Sequence, residues 1–163
     1  METARARPSP LPRLPPGSTA DRWADVVVRA VVAPGDPKTL DVWGRAVALS
    51  RGTLRGYCYA AGVSPKRALD FTRLLRAVVT SEGAQWEPAA LVDVADLRTM
   101  KRLFERGGLP WRVQPRAPLL EEFLTRQTLV DDSAALVAVR ERLSAVKSAL
   151  FPALPALPSE TDD

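Results

Sequence analysis

One register runs twice through this chain. Ser50 is matched 46 residues later by Asp96, Thr53 by Thr99, Leu54 by Met100, Arg55 by Lys101, Cys58 by Phe104 and Gly62 by Gly108. In each copy a side chain able to accept a bond from a free helical N–H stands where a helix would begin, and a glycine stands where it would end. Apolar residues recur at helical spacing over 40–49 and 51–61, which places Ser50 in a tight turn between two short helices. A repeat of this kind predicts a fold made of helix, turn and helix units.

Proline and glycine divide the rest of the chain. Segment 1–18 holds Pro8, Pro10, Pro12, Pro15 and Pro16, which forbid helix and predict a disordered tail. A packing helix is expected within 19–37, starting at Thr19 or Ala20, with Trp23, Val26, Val27, Ala30 and Val31 on one stripe. It should stop before Pro34, Gly35 and Pro37. The first helix-turn-helix unit and a connecting helix fill 38–79, with helices over 38–49, 51–61 and 64–79; Ser64 and Pro65 open the third. In 80–116 the second, helix-turn-helix-like unit has a short helix from Pro88 to about Val94 and a longer one from Asp96 to about Arg106. Two further helices, over 118–129 and 132–150, occupy 117–150, and 151–163 with Pro152, Pro155 and Pro158 is a second disordered tail. No segment alternates with a period of two, so the expected class is all-α without a sheet.

Composition narrows the chemistry. The chain has no histidine and one cysteine, Cys58, which excludes disulfide frameworks and zinc sites built on Cys and His, and removes the commonest general base. The adjacent carboxylates Glu121–Glu122 and Asp131–Asp132 are explained by helix capping or by a solvated face. No glycine loop suited to cradling phosphate is present. The expectation is a non-enzyme with no catalytic residues, no cofactor and no metal. Arg5, Arg7 and Arg13 are followed by prolines where a signal peptide needs an apolar run, and no stretch approaches the roughly 18 apolar residues of a membrane span. A cytoplasmic protein with no membrane partner is expected.

The net charge of +4 is unevenly spread. Residues 1–37 carry +1, 38–116 carry +7 and 117–163 carry −4, so the positive charge sits on the repeat, where phosphate attraction would need it. Two short basic helices suit successive major-groove windows of a DNA duplex. In the first copy the early exposed positions are Arg51, Gly52 and Thr53, with Arg55 one turn on. Arginine can grip guanine with two parallel bonds, and Gly52 would allow close backbone approach. Arg98, Thr99, Lys101 and Arg102 hold the matching positions of the second copy, for base readout or for positioning on the backbone. Cys58 reads as a small buried hydrophobe, and Trp43, Trp86 and Trp111 as core or hinge packing.

Gly62-Val63-Ser64-Pro65, Leu69, Arg73-Leu74 and Ala77 resemble the segment after the first recognition helix of AraC-type (AraC/XylS-like) bacterial transcription regulators. Gly44, Leu49-Ser50, Leu54 and Cys58 fall where that family places a small helix residue, the turn serine and two apolar anchors. Val94-Ala95-Asp96, Met100, Arg102, Phe104 and Gly108-Leu109-Pro110 resemble its second unit, and the likeness covers about 40–110. The second copy diverges: Asp93-Val94 stands where the family usually has glycine and phenylalanine, and Pro88 shortens the first helix. The resemblance implies a DNA-binding domain without a ligand-sensing domain, and a bracing ion pair for Arg73. It also implies duplex DNA as partner, with RNA polymerase or another regulator as a further one.

The expected function is sequence-specific double-stranded DNA binding in transcription regulation. The alternative is a helical protein–protein interaction module that keeps the fold without DNA contact. Leu136, Val139, Leu143, Val146 and Leu150 recur at three- and four-residue steps, the rhythm of a coiled-coil seam. Packing of this stripe on Phe123 and Leu124 within a monomer is expected ahead of a homodimer through the terminal helix.

Overall fold

A computed structural model describes residues 17–150, and the two Pro-rich terminal segments expected to be disordered lie almost wholly outside them. The described residues form eight helices: α1 (Thr19–Val32), α2 (Leu40–Ala46), α3 (Arg51–Ala60), α4 (Pro65–Thr80), α5 (Pro88–Leu91), α6 (Leu97–Arg106), α7 (Leu120–Thr125) and α8 (Ser133–Leu150). They contain no strand, and the one isolated bridge joins Trp86 to Gln114. The class is all-α.

The expected packing helix, α1, lies at the centre of the described residues. Ser18 caps α1 by accepting from the Asp21 N–H at 3.2 Å while Asp21 accepts from the Ser18 N–H at 3.0 Å, the reciprocal arrangement of a capping box. Trp23, Val26, Val27, Ala30 and Val31 are all buried, together with Ala24 and Val28, so α1 is covered on more than one side. Its contacts run to α8, α4 and α3. Trp23 stacks on Phe71 of α4, and Phe71 on Phe123 of α7, each with centroids 5.7 Å apart. Burial of such aromatic side chains contributes about 1.5–3 kcal/mol each.

Helix ends depart from the sequence expectation where a local bond competes. α2 runs over Leu40–Ala46, not over 38–49. Thr39 accepts from the Val42 N–H at 3.2 Å and so fixes the start. At the other end Ala48 takes φ 56, and the Leu49 N–H returns to the Gly44 carbonyl at 2.9 Å. A Cβ on Gly44 would lie 2.8 Å from the Leu49 oxygen, so this close return needs glycine.

α5 is one turn, ending at Leu91 where a helix to about Val94 was expected. The Asp93 N–H donates to the Asp36 carboxylate at 3.0 Å, a partner outside the helix, and Val92 is extended. α5 packs chiefly on α4, whereas α2 packs on α3. The second copy therefore keeps its second helix and loses most of its first. α7 likewise covers only Leu120–Thr125 of the expected 118–129. The stripe of α8 packs chiefly on α1, within the same buried cluster that holds Phe123 and Leu124.

No helix among the described residues is long and apolar enough to cross a membrane.

Candidate nucleic-acid interface

α3 and α6 are built to one plan. Ser50 Oγ accepts from the Thr53 N–H at 3.1 Å, and Asp96 Oδ2 accepts from the Thr99 N–H at 2.8 Å. Leu54 and Cys58 turn inward on α3, as Met100 and Phe104 do on α6. Gly62 at φ 72 and Gly108 at φ 68 end the two helices in the left-handed region that favours glycine. The next N–H then reaches back in each copy, Val63 to the Cys58 carbonyl at 3.0 Å and Leu109 to that of Phe104 at 2.9 Å. The register read in the sequence is a register of caps and buried anchors.

Both helices are braced on α4. α3 leads into it through Gly62–Ser64, and Ser64 Oγ caps it by accepting from the Arg67 N–H at 3.3 Å. At the end of α6, Arg106 reaches Asp70 of α4 at 3.0 Å, and a Cβ on Gly107 would lie 2.0 Å from a Leu74 methyl. Trp86 meets Phe104 edge-on with centroids 5.8 Å apart and donates its indole N–H to the Pro110 carbonyl at 2.7 Å. These contacts tie the second copy into the one buried core of the described residues, and Trp86 is the packing residue it was expected to be.

All eight expected contact residues are exposed: Arg51, Gly52, Thr53 and Arg55 on α3, and Arg98, Thr99, Lys101 and Arg102 on α6. Gly52 is open, since an added Cβ would meet only Ser50 Oγ, at 3.8 Å. The charges are unequally engaged. Arg51 lies 3.6 Å from Asp41, and Lys101 3.7 Å from Glu105 and 5.1 Å over the Trp111 ring. Arg55 has only a 3.5 Å contact with the Tyr59 hydroxyl. Arg55, Arg98 and Arg102 form no ion pair among the described residues. Asp70 is turned away to Lys66 and Arg106, so it covers neither Arg51 nor Arg55.

The two helix starts differ in charge. Ser50 is a neutral cap that shares a 2.9 Å hydroxyl contact with Thr53. Asp96 accepts both the N–H and the hydroxyl proton of Thr99, the latter at 2.7 Å, and these bonds hold its carboxyl below the usual aspartate value. The Thr99 hydroxyl therefore has its proton committed and is left as an acceptor, while the start of α6 carries a fixed negative charge. A phosphate is better received at the start of α3 than at that of α6.

Three features on these faces were missed in the sequence. Tyr59 and Leu97 are 59% and 62% exposed. Trp111 is only partly buried and is flanked by Lys101 and by Arg112, whose guanidinium lies 5.0 Å from the ring centroid. The adjacent Trp111-Arg112 pair was the available signal for the last. Leu97 lies on the inward period, three residues before Met100 and seven before Phe104, yet it is exposed at the first position of α6. No family model, curated protein or solved structure matches the chain.

Proposed function

We propose that the chain is a sequence-specific double-stranded DNA-binding regulator of transcription, related in plan to the AraC-type family, which presents α3 and α6 to the major groove. The observation that carries this reading is the pair of helices with equivalent caps and buried anchors and with Arg55, Arg98 and Arg102 unpaired on the outside. Exposed unpaired arginines on the first turns of a helix are the groups that reach base edges and phosphates in such docking. α3 has a neutral start, open Gly52 and a complete partner helix, and it serves as the reader. α6, whose partner helix is a single turn, fixes position on the backbone through Arg98, Lys101 and Arg102, beyond its anionic cap. The protein acts by binding, without turnover, in the bacterial cytoplasm.

The protein-interaction reading has its own support in Tyr59 and Leu97, large side chains exposed beside the same arginines, and in the Arg51–Asp41 pair. Salt dependence separates the two. Binding to a mixed pool of duplexes should weaken steeply with salt, with a slope of log affinity against log salt of about −5 if about six phosphates are neutralised. Selection from random duplexes with nonspecific competitor should then return a preferred site. A flat slope, or no binding at low salt, removes the DNA reading.

A further inference from the structure

Residues 111–113 form a surface loop beside α6 that is pinned at both ends by the fully buried Trp86. Before the loop, the Pro110 carbonyl accepts from the Trp86 indole N–H at 2.7 Å. After it, the Trp86 N–H donates to the Gln114 carbonyl at 3.0 Å, and the Gln114 N–H donates to the Trp86 carbonyl at 3.1 Å. Trp86 meets Phe104 of α6 edge-on, so the loop is held against that helix. The Trp111 ring then carries two cations: Lys101 Nζ of α6 lies 5.1 Å from its centroid and the Arg112 guanidinium 5.0 Å. Glu105 reaches Lys101 at 3.7 Å, whereas the exposed Arg112 has no ion-pair partner among the described residues. Two like charges are thereby held within about one Debye length, roughly 10 Å at 0.1 M salt, with one carboxylate against them. An anion beside Arg112 relieves that repulsion.

We propose that this loop is a third contact with duplex DNA, in which Arg112 engages a backbone phosphate beside α6 and Trp111 acts as its positioning residue. The inference rests on the DNA-binding reading of α3 and α6 and extends it. Through the shared ring Arg112 adjoins Lys101, so it lengthens the cationic surface of α6 and does not form a patch of its own. A guanidinium grips a phosphate through paired N–H donors, and stacking on a ring face leaves those donors free at its edge. Because Trp86 fixes the loop before any partner arrives, little freedom is lost when Arg112 binds.

Fluorescence anisotropy of the full chain against a labelled pool of duplexes, repeated over a salt series, gives affinity and salt slope together. Arg112→Gln should weaken binding to all sequences by a similar factor, about three- to tenfold at 0.1 M salt, and make the slope shallower by about one. Trp111→Ala should lose affinity in the same direction, and Trp111→Phe, which keeps a ring face, should restore it to within about twofold of the parent. Arg140→Gln, on α8 and already paired with Glu121 at 3.0 Å, should change neither quantity. Thermal melting by circular dichroism checks that each variant is folded. If the parent binds with a steep slope and Arg112→Gln matches it in affinity and slope, this inference is overturned and the DNA reading stands. A loss confined to one base position places Arg112 in a groove and likewise overturns the phosphate assignment. If the parent itself fails to bind at low salt, the DNA reading falls and this inference falls with it.

Discussion

Arg73 on α4 and Asp36 in the loop between α1 and α2 form a forked pair, with Nε donating to Oδ1 at 3.0 Å and a terminal nitrogen to Oδ2 at 2.7 Å. Asp36 Oδ2 also accepts from the Asp93 N–H at 3.0 Å, and Arg73 donates to the Asp93 carbonyl at 3.3 Å. The approach to the first unit, the connecting helix and the approach to α6 therefore meet at one buried carboxylate. Both side chains are nearly closed to solvent, at 11% and 6% exposure. Removing one member of such a pair strands the other charge, so Arg73→Ala should cost about 3–5 kcal/mol. Arg73→Lys keeps the charge without the fork and should fall between that variant and the parent. Urea unfolding measures both, and a loss below about 0.5 kcal/mol for Arg73→Ala would show that the pair does not hold the three segments together.

The ion-pair role expected of Arg73 is thus borne out, but its partner was not legible. Asp36 lies among prolines and glycine, 37 residues away, and only the tertiary fold brings the two together. What was legible is local. Ser50, Ser64 and Asp96 cap the helices they were expected to cap, because a side-chain acceptor three residues before a free N–H acts without help from distant chain. The end of α5 was missed for the complementary reason. A distant carboxylate takes the Asp93 N–H, and helical periodicity carries no trace of that competition. The exposed positions of the candidate interface followed from period alone. The Asp41 and Glu105 partners lie one turn away on neighbouring or identical helices and could be anticipated only by placing those helices first.

Cys58 tests how closed the first unit is. Burial pushes its thiol up to about 11, the Trp23 indole opposing that shift to a smaller degree. The thiolate is the reactive form, so labelling by an aromatic disulfide at pH 8 should be slow and should accelerate with urea in step with unfolding. The raised value also has a linkage consequence. The folded state holds this proton more tightly than the unfolded chain, so the contribution is complete below pH 9 and is lost as pH rises from 9 toward 11. Fast labelling of the folded protein would show that the first unit opens locally.

Asp96 makes the opposite prediction at acid pH. Its bonds from the Thr99 hydroxyl and N–H lower its pKa below the usual aspartate value of 3.8. Its capping contribution should be present above pH 3.8 and should fade as pH drops through the lower folded value. Carboxyl NMR titration should place the Asp96 midpoint below 3.8, and a midpoint at or above it would mean the cap is open in solution. Asn is a comparable cap without the charge, so Asp96→Asn should keep α6 folded. On the DNA reading it should also raise affinity for all duplexes by a similar factor, about two- to tenfold, because one like charge facing the phosphates is removed. A change confined to one base position would instead make α6 the reader.

Leu143 decides between a chain that satisfies its terminal helix alone and one that needs a second copy. The Leu143 side chain is 1% exposed, with Ala135 and Val139 at 0% on the same stripe of α8, and the burial comes from packing on α1 within one chain. Arg142 strengthens that seam by reaching Asp25 of α1 at 3.3 Å. Val137, on another face, remains 44% exposed, so the stripe is used up by the intramolecular core and does not continue round the helix. Leu143→Asp buries a carboxylate with no cation opposite it, and a cost of about 3 kcal/mol or more is expected. Light scattering and thermal melting, read together, separate the outcomes. A lower melting point at unchanged mass is the expected result, since the lost packing lies between α1 and α8 of the same molecule. A halved mass with the helical signal and melting point retained would place the stripe between two copies and overturn the assignment of α1 as its partner.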